Sequence, residues 1–234
     1  MTGALANEAR GSDAAADVAT TVVACGALAP EFAAVLAPLG RDGRVELRCL
    51  TPDLHNTPAD IPGRVRAEIH AARQRGREVV VGYADCGTGG LLDAVCAEEG
   101  VERLPGAHCY ELFAGTRAFA ALHAEDPGTF YLTDFLVRSF DRLVMRGLGL
   151  DRHPELRELY FGNYHRLVHL AQSDDADLDA RARDAAAALG LEHQRVETGL
   201  GPFAAAVDAA FTGTVDTTLS RRADTPSAPS GVPA

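Results

Sequence analysis

The sequence contains no lysine: all 22 of its basic residues are arginine. A chain without lysine forms no Schiff base with pyridoxal phosphate or a carbonyl substrate, and it lacks the lysine of a Walker A loop, so two large enzyme classes are excluded. A basic stripe is also missing. The formal charge is −11 and the arginines are scattered among acids, which disfavours contact with a phosphate backbone, so no nucleic acid partner is expected. No apolar run is long enough for a bilayer crossing, and the longest Ala-rich segment is interrupted by charge, so no membrane partner is expected either. The opening residues lack the basic-then-apolar order of a secretory signal, and a cytoplasmic location is the expectation. There is no CxxC pair. Five cysteines in a chain without an export signal point to reduced thiols rather than a disulfide framework.

What is present is ordinary globular material, with 234 residues, 47% hydrophobic and 24% charged, enough for one substantial core. Residues 1–18 and 220–234, rich in small and polar residues without apolar periodicity, are expected to be flexible tails around a single α/β domain at 19–219. Strand signals fall at Thr20–Cys25, Val45–Leu50, Glu78–Tyr83, Val101–Leu104, Thr129–Thr133 and Glu192–Glu197. Helical signals fall between them, at Leu28–Leu36, Ile61–Arg75, Leu91–Glu99, Tyr110–Ala124 and Asp134–Arg146. Three more follow, at Pro154–Ser173 with an interruption at Gly162, Leu178–Leu189 and Pro202–Phe211. This alternation predicts an α/β fold: a Rossmann-like, mostly parallel sheet with helices on both faces and extra helices at the C-terminal end.

Three cysteines stand at handovers from an apolar stretch to a helix: Ala24-Cys25-Gly26, Asp85-Cys86-Gly87 and His108-Cys109-Tyr110. Parallel neighbouring strands would gather Cys25, Cys86 and Cys109 at the carboxyl edge of one sheet, where open α/β sheets bind ligands. Three thiolates suit either zinc with a fourth His, Asp or water ligand, or an iron–sulfur cluster with one iron left open. Cys49, in an alternating strand, and Cys96, in a helix, are expected to be core residues.

The loop holding Cys86 continues as Gly87-Thr88-Gly89-Gly90 into a helix. Its backbone amides favour a thiolate or a cofactor anion, although the spacing matches neither the dinucleotide fingerprint nor the P-loop. His108 and Glu111 flank Cys109, and His55 follows a strand on a loop facing the same edge, so these three are the candidate acid/base residues. His165 and His169, four apart on an expected helix, form a polar face, since Arg166 stands where a zincin places glutamate. Asp134 is expected to cap the helix that it opens. Asp151, Arg152, Tyr160, Asn163 and Tyr164 form a polar, aromatic cluster suited to a substrate or to a partner subunit, so a homo-oligomer is one expectation.

The runs Ala24-Cys25-Gly26-Ala27-Leu28, Leu54-His55-Asn56, Asp85-Cys86-Gly87-Thr88-Gly89-Gly90 and His108-Cys109-Tyr110-Glu111, with Phe113, Gly115 and the stretch 147–172, together resemble the DUF1638 family over about residues 22–201. The resemblance implies the company of corrinoid-dependent methyltransferase systems, hence one-carbon or cofactor metabolism. The Asp-x-His-x-x-Gly string of a corrinoid-binding domain is missing from the sequence. The expectation is therefore a metal–thiolate protein, binding an iron–sulfur cluster or zinc and acting as a lyase, hydrolase or transferase on a small molecule. The alternatives are a metal or cofactor carrier serving a corrinoid methyltransferase system, and an enzyme with Cys86 as its nucleophile.

Overall fold

The computed structural model describes residues 19–38 and 44–213; both expected tails, and residues 214–219 of the expected domain, lie outside that range. In chain order the elements are β1 (Thr20–Cys25), α1 (Ala29–Leu36), β2 (Val45–Leu50), α2 (Ile61–Gln74), β3 (Glu78–Gly82), α3 (Leu91–Glu99), α4 (Cys109–Ala114) and α5 (Thr116–Glu125). There follow β4 (Thr129–Thr133), α6 (Asp134–Arg138), α7 (Leu156–Phe161), β5 (Arg166–Ala171), α8 (Ala176–Leu189), β6 (Glu192–Glu197) and α9 (Gly201–Thr212). The fold is α/β and parallel, and its strands form two three-stranded sheets, ordered β2-β1-β3 and β4-β5-β6.

β1 is central to the first sheet because its Val22, Val23 and Ala24 are apolar on both faces, as a strand covered on both sides requires. Val22 and Ala24 pack with Phe32 of α1, Leu112 and Phe113 of α4, and Phe203 of α9. Val23 points the other way, into Ile61, Val65 and Ile69 of α2 and Leu92 and Val95 of α3. Gly82, at the end of β3, leaves room for Phe32; a Cβ there would lie 2.6 Å from its ring. In the second sheet β5 is the central strand, with Leu167 to Ala171 all buried. The halves meet where Asn56 Nδ2 donates to Leu143 O at 3.5 Å and where Arg142 pairs with Asp53. No helix among the described residues is long and apolar enough to cross a membrane.

Several expectations need correction. The segment expected as helix over Pro154–Ser173 contains only the short α7 and then β5, because a short apolar run reads equally as buried helix or buried strand, and the slot between β4 and β6 decides it. His169 is therefore a buried strand residue and His165 precedes the strand, so they share no helical face. The expected helix Tyr110–Ala124 starts at Cys109 and breaks at Gly115, which has φ +79°. The helix expected over Asp134–Arg146 stops at Arg138, and a π-helical turn spans Asp141–Arg146. Val101–Leu104 shrinks to one parallel bridge, Val81 to Arg103. Thr133, not Asp134, caps α6: its hydroxyl accepts from Leu136 N–H at 3.4 Å, while the Asp134 carboxylate turns to His169. Cys96 is buried as expected, but Cys49 is exposed on β2, a strand with a neighbour on one side only.

Phe203 returns the end of the chain to the first sheet, stacking on Phe113 with ring centroids 5.3 Å apart and meeting Phe32 edge-on at 4.9 Å. Phe203→Ala should cost about 3–5 kcal/mol, read as a lowered urea midpoint at unchanged slope.

Candidate functional site

The first sheet's register aligns Cys25 with Leu50 and Ala24 with Gly82, so its three strands end together. From this edge the chain leaves β1 at Cys25, β2 towards His55, and β3 towards Cys86. Gly26 permits a tight exit, since a Cβ there would stand 2.5 Å from Leu50 O. After α3 the segment 101–107 runs alongside β3 and its continuation. Val81 N–H donates to Glu102 O, Leu104 N–H to Val81 O, Asp85 N–H to Gly106 O at 3.1 Å and Cys86 N–H to Ala107 O at 2.8 Å. These bonds carry Cys109, at the head of α4, to Cys86.

The three thiols interact, and unequally. The interaction of Cys86 with the Cys109 thiol and backbone N–H outweighs burial and lowers the Cys86 pKa. Cys109 is raised in return, first by its interaction with Cys86 and then by burial. Burial, with a contribution from Cys86, pushes Cys25 up to about 12. The three sulfurs are not all within 4.8 Å of one another. Cys86 itself has φ +51°, alone in positive φ among the described non-glycine residues, a costly conformation held by the bond to Ala107.

The expected anion-binding loop has another occupant. Asp85 accepts from Thr88 Oγ1 at 2.6 Å, Gly89 N–H at 3.1 Å and Gly90 N–H at 2.9 Å, so these donors hold the turn itself. Gly87 packs near Pro58. Glu111 has a similar internal role, accepting from Ala107 N–H at 2.8 Å. Burial lowers the pKa of both His55 and His108, and the proximity of His108 adds to the depression of His55, to about 4. Both are neutral imidazoles at physiological pH. A narrow cleft of about 20 Å³ lined by His55, Asn56, Tyr110 and the apolar Leu132, Leu136 and Leu143 joins the two halves here, with room for little more than a water-sized group.

Two participants carried no sequence signal. Tyr83 is buried beside Cys25 and perturbs it, yet its hydroxyl has no partner at hydrogen-bonding distance. Arg103 is 8% exposed and braces the turn, donating to both Asp93 carboxylate oxygens and to Leu104 O and Gly106 O. Its charge also favours the Cys86 thiolate. Only three-dimensional pairing with Asp93 distinguishes it from the other arginines.

A protein-family model described as "Protein of unknown function (DUF1638)" matches residues 49–207. The match includes Cys86, Cys109, His55, His108 and Glu111, and Cys25 lies before it. No curated protein and no solved structure matches the chain.

Because His55 has a folded pKa near 4 against an ordinary 6.5, the unfolded chain binds more protons in that window, and stability falls as pH drops from 6.5 towards 4. His55→Asn should flatten the dependence between pH 6.5 and 5 by up to about 1.4 kcal/mol per pH unit, measured by urea unfolding across that range.

Proposed function

The chain belongs to the DUF1638 family, whose description assigns no activity, and from its site we propose a metal–thiolate protein in which Cys25, Cys86 and Cys109 hold an iron–sulfur cluster or a zinc ion. The observation that carries this reading is that the chain brings together three thiols, one at the end of β1, one in the loop after β3 and one at the head of α4, near enough to perturb one another. Three sulfurs this near cannot all ionise without a compensating cation, and a metal supplies it.

A zinc ion would draw the three sulfurs to about 3.8 Å of one another, for Zn–S bonds of about 2.3 Å. A cubane cluster would hold them farther apart, each sulfur on its own iron. Either group, when bound, supplies Lewis-acid chemistry at an open coordination position. His55 and His108 are biased towards the neutral imidazole that can accept a proton from a small substrate, and the narrow cleft beside His55 restricts water. Under this reading Glu111, Thr88, Gly89 and Gly90 shape the site and do not touch the substrate. Lyase, hydrolase or transferase chemistry on a small molecule is the corresponding reaction class, and the family resemblance directs it towards one-carbon or cofactor metabolism. A carrier role beside a corrinoid methyltransferase would use the same three sulfurs.

A second reading rests on the asymmetry of the pair. With no metal bound, Cys86 is the sulfur that ionises most readily, which is the condition of a nucleophile. What favours its ionisation is Cys109, at the head of α4, rather than the start of α3 at the end of its own loop.

Anaerobic purification with metal and sulfide analysis tests both. The proposal expects about four iron with sulfide, or about one zinc, per chain, lost in each of Cys25→Ser, Cys86→Ser and Cys109→Ser. Metal-free protein in which Cys86 alone is rapidly alkylated would replace the first reading by the second.

A further inference from the structure

A separate set of metal-ligating side chains lies on the second sheet. His169 on β5 is opposite Arg195, and His193 on β6 is opposite Leu167, so the two histidines are diagonal neighbours on one face. α8 packs against both strands with Leu178, Ala182, Ala185 and Ala186 buried, and these mostly short side chains let the helix settle close enough for Asp179 to reach the same point. One ligand atom from each of His169, Asp179 and His193 lies within 4.8 Å of the other two.

The atoms gathered there have nothing else to bind. His169 Nδ1, Asp179 Oδ1 and His193 Nε2 are buried and lack hydrogen-bond partners, and His169 is only 1% exposed. His193 Nε2 is 3.8 Å from Asp179 Oδ1, too far for a hydrogen bond. The opposite atoms of His169 and Asp179 are engaged. His169 Nε2 donates to Asp134 Oδ1 at 2.9 Å, which leaves the lone pair on Nδ1 facing the cluster, and Arg183 holds the other oxygen of Asp179. Asp134 is itself fixed by Ser173 Oγ and Gln172 N–H. A carboxylate that orients a histidine whose far nitrogen is free is the arrangement found behind metal-bound imidazoles.

We propose that His169, Asp179 and His193 bind a divalent first-row transition-metal ion, zinc or ferrous iron in class, with water completing its coordination. Two imidazoles and one carboxylate are a ligand set for such ions, and three protein ligands leave positions open. The ion would clamp α8 to β5 and β6 and, through Asp134, tie them to the start of α6. It is independent of the cysteine site.

Cobalt distinguishes the two sites. The full chain, stripped by chelator under reducing conditions, is titrated with Co²⁺: nitrogen and oxygen ligands give weak visible bands, whereas thiolates add intense near-ultraviolet charge transfer. The expected result is about one equivalent with weak bands that survives Cys86→Ser, is weakened at least about 100-fold in His193→Ala and in Asp179→Asn, and about 10–100-fold in Asp134→Asn. Thermal melting of the metal-free variants checks their folding, and the near-isosteric Asp179→Asn carries the test if His193→Ala does not fold. Cobalt bound only with thiolate charge transfer, or weak bands unchanged in Asp179→Asn, would overturn the assignment.

Discussion

The backbone pairing of residues 101–107 with β3 and its continuation is the constraint on which the candidate site depends. Parallel order alone carries Cys25 and the Cys86 loop to one edge, but Cys109 follows α3 and would be free to sit elsewhere. The bonds from Val81, Leu104, Asp85 and Cys86 to that segment remove the freedom and deliver Cys109 onto Cys86. Arg103, between Asp93 and the carbonyls of Leu104 and Gly106, stiffens the same stretch with charge-assisted hydrogen bonds.

Electrostatics then gives the three sulfurs different roles. In the metal-free protein burial keeps Cys25 protonated, the interaction with Cys86 together with burial keeps Cys109 protonated, and the same interaction favours negative charge on Cys86. A metal would reverse the protonation of two thiols, so its uptake must release protons and strengthen as pH rises. The positive φ of Cys86 belongs to the same economy: a strained residue persists where surrounding bonds over-determine it, and such residues concentrate at functional positions.

Much of the first half was legible in the sequence because its signals were local. The β-branched runs at Val22–Val23 and Val79–Val81, the glycines after them and the amphipathic pattern of Ile61–Gln74 each specify an element alone. The second half was less so. β5 reads Arg-Leu-Val-His-Leu-Ala, a run whose state is set by neighbours absent from any local window, and reading it as helix hid the alignment of His169 with His193. The division into two sheets, the loop donors taken by Asp85, and the placement of Tyr83 and Arg103 likewise arise from long-range pairing. The placement of Cys25 and the Cys86 loop at one edge was readable because chain order and parallel strands suffice to predict it; the delivery of Cys109 through residues 101–107 and the distances among the sulfurs were not.

Anomalous diffraction at the iron and zinc edges, from crystals of the protein grown without oxygen, tests sulfur convergence most directly. The account predicts one metal centre bonded to Cys25, Cys86 and Cys109, with metal–sulfur distances of about 2.3 Å. Free thiols at all three positions with no metal between them, or a disulfide joining Cys86 to Cys109, would contradict it.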